Sequence, residues 1–188
     1  MKILVLSDSH GCRDRLRAIV EAYAPVVDAV IFCGDGERDW ASLNDLQCLR
    51  HKQCIAVAGN CDTMSMNPRT SYDEIGGYKF YTTHGHFQFV KQGLDYIAMD
   101  AMKDGRQVVC FGHTHDQYCG QWGDVFLFNP GAVLSDCYGS IHIHDHSNGI
   151  TFRHWYWNDG DALRFYFFEK LRRKVKPRRG SRGRAFVF

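Results

Sequence analysis

The chain opens with short apolar runs separated by polar, glycine-containing loops. Lys2–Leu6 is a continuous apolar run of the kind found in a strand buried on both faces of a sheet, and the polar loop 7–11 ends it. Arg13–Tyr23 then places Leu16, Ile19, Val20 and Tyr23 at helical spacing, with Asp14 near the start and Pro25 just past the end. Residues 28–33 predict a second buried strand, closed by Gly34-Asp35-Gly36. Residues 39–49 set Trp40, Leu43, Leu46 and Leu49 three apart, which predicts an amphipathic helix. Residues 55–58 predict a third strand, stopping at Gly59-Asn60-Cys61-Asp62. Alternating strands and helices imply right-handed βαβ crossovers, and in such sheets ligands collect at the carboxyl ends of strands.

The second half has a different rhythm. Residues 71–75 and Tyr78–Thr83 flank Gly76-Gly77, a two-residue hairpin signal, and the second strand runs into His84-Gly85-His86. Residues 94–103 predict a helix with Leu94, Ile97, Ala98, Ala101 and Met102 on one side, and 108–111 a buried strand ending in Gly112-His113-Thr114-His115. Residues 118–121, 125–128, 141–145 and 150–157 predict antiparallel strands with glycines between them. No internal repeat is present.

With 188 residues, 45% of them hydrophobic, the chain is long enough to bury one substantial core. No apolar run approaches the roughly 18 residues of a spanning helix. The start has no secretory pattern, so a soluble, cytoplasmic protein without a membrane partner is expected. Eight cysteines form no C-x-x-C pair, which favours buried or free thiols over a disulfide framework. Charge is divided: nine of the 23 basic residues lie between 170 and 184 without an acid, leaving 14 bases against 21 acids elsewhere. The domain reading is therefore an acidic body, 1–170, and a basic tail, 171–188.

Five strand ends carry polar segments: Asp8-Ser9-His10, Gly34-Asp35, Gly59-Asn60, His84-Gly85-His86 and Gly112-His113-Thr114-His115. A strand end holds a ligand on a rigid element, and an adjacent glycine lets the backbone turn sharply. The candidate ligands Asp8, His10, Asp35, Asn60, His84, His113 and His115 comprise two carboxylates, one amide and four imidazoles. Four histidines argue against an all-oxygen magnesium or calcium cage, and the lack of a cysteine cluster argues against structural zinc. Mn²⁺, Fe²⁺, Zn²⁺ or a similar borderline ion remains, with Mn²⁺ and Ni²⁺ in the expected set. Seven ligands exceed the roughly three or four of a single catalytic ion and suit two ions sharing a carboxylate.

This ordered set resembles the calcineurin-like metallophosphoesterase superfamily, and the small size and Gly59-Asn60-Cys61-Asp62 resemble its YfcE-like phosphodiesterases. Asn129-Pro130-Gly131-Ala132 is similar to a later segment of that family, so the resemblance extends over about residues 1–157. It implies an α/β fold, a four-layer αββα sandwich of two mixed sheets with the metal site at strand C-terminal ends. It also implies that Asp8, His10 and His115 hold one metal, Asn60, His84 and His113 the second, and Asp35 both. The implied reaction is hydrolysis of a small phosphodiester or nucleotide-type substrate by a hydroxide between two divalent ions, with no protein nucleophile.

Many relatives place histidine where this chain has Cys61, and use it on the leaving group or phosphate. A thiol is a poorer acid–base group near neutral pH, so His86, with Cys61, is the candidate to take over that role; the expected catalytic residues are these two and the metal ligands Asp35 and Asn60. No G-x-S-x-G elbow or Walker-type loop occurs. His51 and His154 read as structural or surface groups, and His142, His144 and His146 as a polar strand face. The aromatics between Phe152 and Phe168 read as core or a homo-oligomer interface. The basic tail reads as a solvated segment, with nucleic acid as the alternative partner. The rival reading is a scaffold like the retromer-subunit relative of the family, catalytically weak because its metal centre is degraded.

Overall fold

A computed structural model describes residues 1–144 and 149–158, with the backbone of 185–187. The first sheet has the order β11-β10-β9-β1-β2-β3, from β11 (Ala185–Val187), β10 (Ile150–Tyr156), β9 (Cys137–Ile143), β1 (Lys2–Leu6), β2 (Ala29–Phe32) and β3 (Gln53–Ala56). The second has the order β4-β5-β6-β8-β7, from β4 (Thr70–Ile75), β5 (Tyr78–Thr83), β6 (Val108–Cys110), β8 (Val125–Pro130) and β7 (Gln117–Trp122). Both are mixed. β1, β2 and β3 run parallel while β9 and β10 are antiparallel to their neighbours; β5, β6 and β8 run parallel between antiparallel β4 and β7.

Period-two alternation decides which side chain faces which layer. Ile3 and Val5 of β1 and Ala29 and Ile31 of β2 point into the space between the sheets, against Phe80, Val108, Cys110 and Phe128 of the second sheet. Their neighbours Leu4, Leu6, Val30 and Phe32 point outward, onto Leu16, Ile19, Val20 and Tyr23 of α1 (Arg13–Tyr23). On the far side, Tyr81, Val109, Phe111 and Leu127 pack on Ile97, Ala98 and Ala101 of α3 (Asp95–Lys103). The result is the expected four-layer αββα sandwich. Each fully buried aliphatic or aromatic side chain contributes about 1.5–3 kcal/mol to it.

The helix expected over 39–49 is not continuous. α2 (Glu37–Ala41) is short, and the chain continues through turns to a 3₁₀ segment at Gln47–Leu49. Ser42 Oγ bonds back to the Asp39 carbonyl at 2.6 Å, a local alternative to helix propagation. The amides of Leu43, Leu46 and Leu49 each reach the carbonyl three residues earlier. Spacing of exposed and apolar positions by three thus marks tight turns with three residues per turn, and Leu43 and Leu46 are still buried.

Smaller corrections concern ends and faces. Met102 lies on the exposed side of α3, and β9 begins at Cys137, ahead of the expected 141. Phe152 is in the inter-sheet core and Trp155 and Trp157 pack on the α1 side, whereas Tyr156 is exposed. All eight cysteines are free. His146, Phe165–Phe168 and the side chains of the basic tail lie outside the described residues, as does the test of the 170/171 boundary. Among the described residues, no helix is long and apolar enough to cross a membrane.

Candidate metal centre

Five loops converge where the parallel strands end: those after β1, β2, β3, β5 and β6 carry Asp8 and His10, Asp35, Asn60, His84, and His113 and His115. The turns are sharp. Asp8, His10, Asp35, His113 and His115 all have φ between 44° and 69°, in the left-handed region that side chains other than glycine seldom adopt. Glycine is required where the ligand carboxylates crowd a neighbouring loop: a Cβ on Gly59 would stand 2.0 Å from Asp35 Oδ1, and one on Gly112 2.6 Å from Asp8 Oδ2.

The seven side chains form two touching groups. Donor atoms of Asp8, His10 and His115 lie within 4.8 Å of one another, as do those of Asp35, His84 and His113. In the first group, His115 Nε2 is 3.3 Å from Asp8 Oδ1 and 3.2 Å from His10 Nε2. In the second, His84 Nε2 is 3.3 Å from Asp35 Oδ2 and 3.1 Å from Asn60 Oδ1. Asp35 Oδ2 also lies 3.7 Å from His10 Nε2, and Asp8 Oδ1 3.9 Å from His84 Nε2, so both carboxylates sit between the two groups, Asp35 nearer to His84 and Asp8 nearer to His115.

The electrostatics of the cluster are those of a cation-binding donor set. Asp8 Oδ1 is buried and accepts no hydrogen bond, a costly state for a carboxylate unless a cation compensates it. Burial raises the Asp8 carboxyl above its ordinary range, partly offset by His84. Burial pushes Asp35 the same way, but hydrogen bonding and charge from His84, with bonds from Cys61, outweigh it and hold the carboxyl low. His84 is the counterpart: burial favours its neutral form, yet Asp35 and Asp8 raise it. Its Nδ1–H donates to the Cys33 carbonyl at 2.7 Å, which leaves Nε2 aimed at Asp35 and Asn60. Burial, followed by the nearby His84, depresses His113 to about 4, so that imidazole is a neutral donor at pH 7. Two buried carboxylates, one amide oxygen and ring nitrogens are a donor set that could bind a borderline divalent metal.

Cys61 and His86 stand at the margin. The Cys61 sulfur lies within 4.8 Å of donor atoms of His10 and Asp35, and the Cys61 amide donates to Asp35 Oδ1 at 2.7 Å. Partial burial, then Asp35, raises the thiol, which is therefore protonated at neutral pH. The His86 ring centre is 5.4 Å from that of His84 and 6.1 Å from that of His113, with a buried Nδ1 that has no hydrogen-bond partner.

Three supporting residues were not singled out as site residues by the motifs. Asp62 accepts the backbone N–H groups of Asp35, Gly36, Glu37 and Gly59 at 2.8–2.9 Å, tying two ligand loops together. Asp39 accepts from Ser9 Oγ at 2.6 Å and from the Gly11 amide at 2.8 Å, bracing the first loop. Asn129 donates to the Gly112 carbonyl and to Thr114 Oγ1, bracing the last. The acidic residue in Gly59-Asn60-Cys61-Asp62 is the one available signal for Asp62, since short carboxylates in turns commonly accept backbone amides.

The histidines read as structural stay apart from the centre. His154 is buried, hydrogen-bonds the Asn129 carbonyl at 2.8 Å and stacks on Phe128. His144 bonds Thr151 Oγ1 and packs beside His142. His51 is exposed.

Residues 1–148 match the calcineurin-like phosphoesterase superfamily domain. The probable metallophosphoesterase YsnB of Bacillus subtilis is 32% identical over 136 residues, covering 71% of this chain and 75% of its own. The phosphodiesterase YfcE of Escherichia coli K12 is 33% identical over 141 residues, covering 70% and 63%. A predicted phosphoesterase from Streptococcus pneumoniae superposes with a TM-score of 0.71 at 22% identity, covering 100% of this chain and 97% of that one. Zinc-complexed Vps29 from Entamoeba histolytica superposes with a TM-score of 0.63 at 22% identity, covering 85% and 94%. The similarity in sequence covers the same strand-end loops whose side chains converge, and the chain belongs to the calcineurin-like phosphoesterase superfamily as a metal-dependent phosphoesterase.

Proposed function

We propose that this chain is a dinuclear metal-dependent phosphodiesterase. In this reading Asp8, His10 and His115 hold one divalent ion, Asn60, His84 and His113 the other, and Asp35 is shared. The observation that carries it is the convergence of ring nitrogens of both groups on two buried carboxylates: Asp35 Oδ2 lies 3.3 Å from His84 and 3.7 Å from His10, and Asp8 Oδ1 3.3 Å from His115 and 3.9 Å from His84. When bound, two such ions neutralise phosphoryl oxygens and bring the pKa of water from about 15.7 towards about 7, supplying the nucleophile for in-line displacement. Mn²⁺ is the first candidate, with Zn²⁺, Fe²⁺ and Ni²⁺ as alternatives.

The chain's own residues set the positions. Asp62 fixes the loop that carries Asp35, and the Cys33 carbonyl fixes the His84 ring, so neither ligand needs to reorganise when substrate arrives. Cys61 and His86 are the groups placed to interact with the leaving group. A neutral thiol is a weak proton donor beside an imidazolium, its reference pKa being about two units higher, which favours diesters with good leaving groups over monoesters with poor ones.

The test is turnover of bis(p-nitrophenyl) phosphate by protein loaded in turn with Mn²⁺, Zn²⁺, Ni²⁺ and Mg²⁺. Cleavage that exceeds that of p-nitrophenyl phosphate supports the reading. No turnover with any ion, matching that of Asp35→Asn and His113→Ala, sinks it. The scaffold alternative requires a degraded centre, whereas every ligand position here holds a coordinating side chain; less than one metal per chain after loading would restore it. Nucleic-acid contact through the basic tail predicts that deleting 171–188 weakens RNA or DNA binding and flattens its salt dependence.

A further inference from the structure

Arg69 is tied by its backbone to two of the ligand loops. The carbonyl before it, that of Pro68, accepts the Ala58 N–H at 2.8 Å, just ahead of Gly59-Asn60. The residue after it, Thr70, opens β4 and pairs with Thr83, just ahead of His84. The side chain is exposed, and its guanidinium carbon lies 4.7 Å from the centre of the Phe87 ring. That ring centre is in turn 4.1 Å from the centre of His86, which stands 5.4 Å from His84 and 6.1 Å from His113. A line of ring contacts therefore runs from the Arg69 guanidinium to two of the ligand imidazoles, while Arg69 itself bonds none of the ligands.

The chemistry of this pair is that of an anion holder. A guanidinium is planar and always charged, and when its face rests on an aromatic ring its N–H edge stays free. Such an edge matches the oxygens of a phosphate two at a time. Arg15 and Arg17 spend theirs on Asp136 and Asp45, whereas among the described residues Arg69 has no carboxylate partner. Phe87 is 53% exposed and belongs to none of the three apolar clusters, so its ring serves Arg69 and His86 rather than the core. Arg106 rests on Tyr72 at the same 4.7 Å, but it precedes β6 and so lies at the end of the sheet away from the ligand loops. Location beside His86 is what sets Arg69 apart.

We propose that Arg69, held by Phe87, binds a second phosphate of the substrate, so that the preferred substrate is a phosphodiester carrying a further phosphate one nucleotide-sized unit from the scissile one. The inference deepens the phosphodiesterase reading and rests on it. Arg69 is then a specificity residue and Phe87 its positioning residue. Neither belongs to the ligand set, so substituting them leaves the metal content unchanged.

The test is isothermal titration of the full-length, Mn²⁺-loaded protein with thymidine 5′-monophosphate and thymidine 3′,5′-bisphosphate, which differ only in the second phosphate. Wild type should bind the bisphosphate about tenfold more tightly. Arg69→Gln should erase that preference without changing the affinity for the monophosphate, and Arg69→Lys and Phe87→Ala should each keep part of it. Arg50→Gln removes the same charge from an exposed position ahead of β3 and should change neither affinity. Equal binding of the two nucleotides by wild type overturns the proposal. So does an Arg69→Gln variant that weakens both nucleotides alike, or a loss of the preference in Arg50→Gln, which would make it an effect of bulk charge. Turnover of bis(p-nitrophenyl) phosphate by the same wild-type protein separates the two levels: turnover without a bisphosphate preference removes this inference alone, and no turnover with any ion removes the reading beneath it.

Discussion

The space between the two sheets and the edge where their strands end are a few residues apart along each strand, yet they are built on opposite rules. Between the sheets, Ile3, Ile31, Phe80, Val108 and Phe128 are fully buried in one apolar cluster. At the edge, Asp8 is as fully buried, holds a carboxylate oxygen without a hydrogen bond, and adopts a left-handed backbone. The first region stabilises the protein and the second draws on that stability. A strained, charged cluster persists only because the surrounding structure fixes it, and such a trade of stability for a preorganised site is general.

That contrast is broken most directly by substituting on each side of it. Asp35→Asn removes one of the two charges between the ligand groups and should lower phosphodiesterase activity by about 10³-fold or more, the loss of several kcal/mol of transition-state stabilisation. Asp8→Asn, which removes the carboxylate that burial disfavours and whose Oδ1 accepts no hydrogen bond, should not lower the thermal midpoint without metal; a fall of several degrees would show that the centre supports the fold. Phe128→Ala should do the reverse. It opens a cavity between the sheets, costing about 3–5 kcal/mol in urea unfolding, while activity measured well below the transition persists.

Asp62→Ala sharpens the comparison because this residue belongs to neither region. It leaves four backbone N–H groups without their acceptor and loosens the loop of Asp35, so metal affinity should weaken by about 10–100-fold without loss of any ligand. Isothermal titration with Mn²⁺ measures this, and an unchanged affinity would make Asp62 a purely structural turn residue. The smallest effect concerns pH. Burial, only partly offset by its bond to Asn129, lowers the pKa of His154 below its ordinary 6.5, so the unfolded state takes up that proton first. Stability should therefore decline as pH falls below about 6.5, and His154→Gln should lessen that decline in unfolding titrations at pH 7.5 and 5.0.

Much of this was legible in the chain because the determining patterns are local. Alternation along Lys2–Leu6 and Ala29–Phe32 assigns each side chain to a layer, and every candidate ligand lies within a few residues of a strand end. Where a local rule has two solutions, the sequence misled: apolar residues three apart at Trp40, Leu43, Leu46 and Leu49 satisfy successive tight turns as well as a helix. Long-range support was hidden for a different reason. Asp62 serves a loop 27 residues earlier, Asp39 one 30 residues earlier, and Asn129 one 15 residues earlier, and such pairings depend on the assembled sheets.

The central claim is that Asp35 joins two cation sites assembled from five loops. Anomalous diffraction from crystals grown with Mn²⁺ tests it most directly. The account predicts two peaks per chain, about 3.5–4 Å apart, with Asp35 between them, Asp8, His10 and His115 around one, and Asn60, His84 and His113 around the other. A single peak, or two peaks that do not share Asp35, would contradict it.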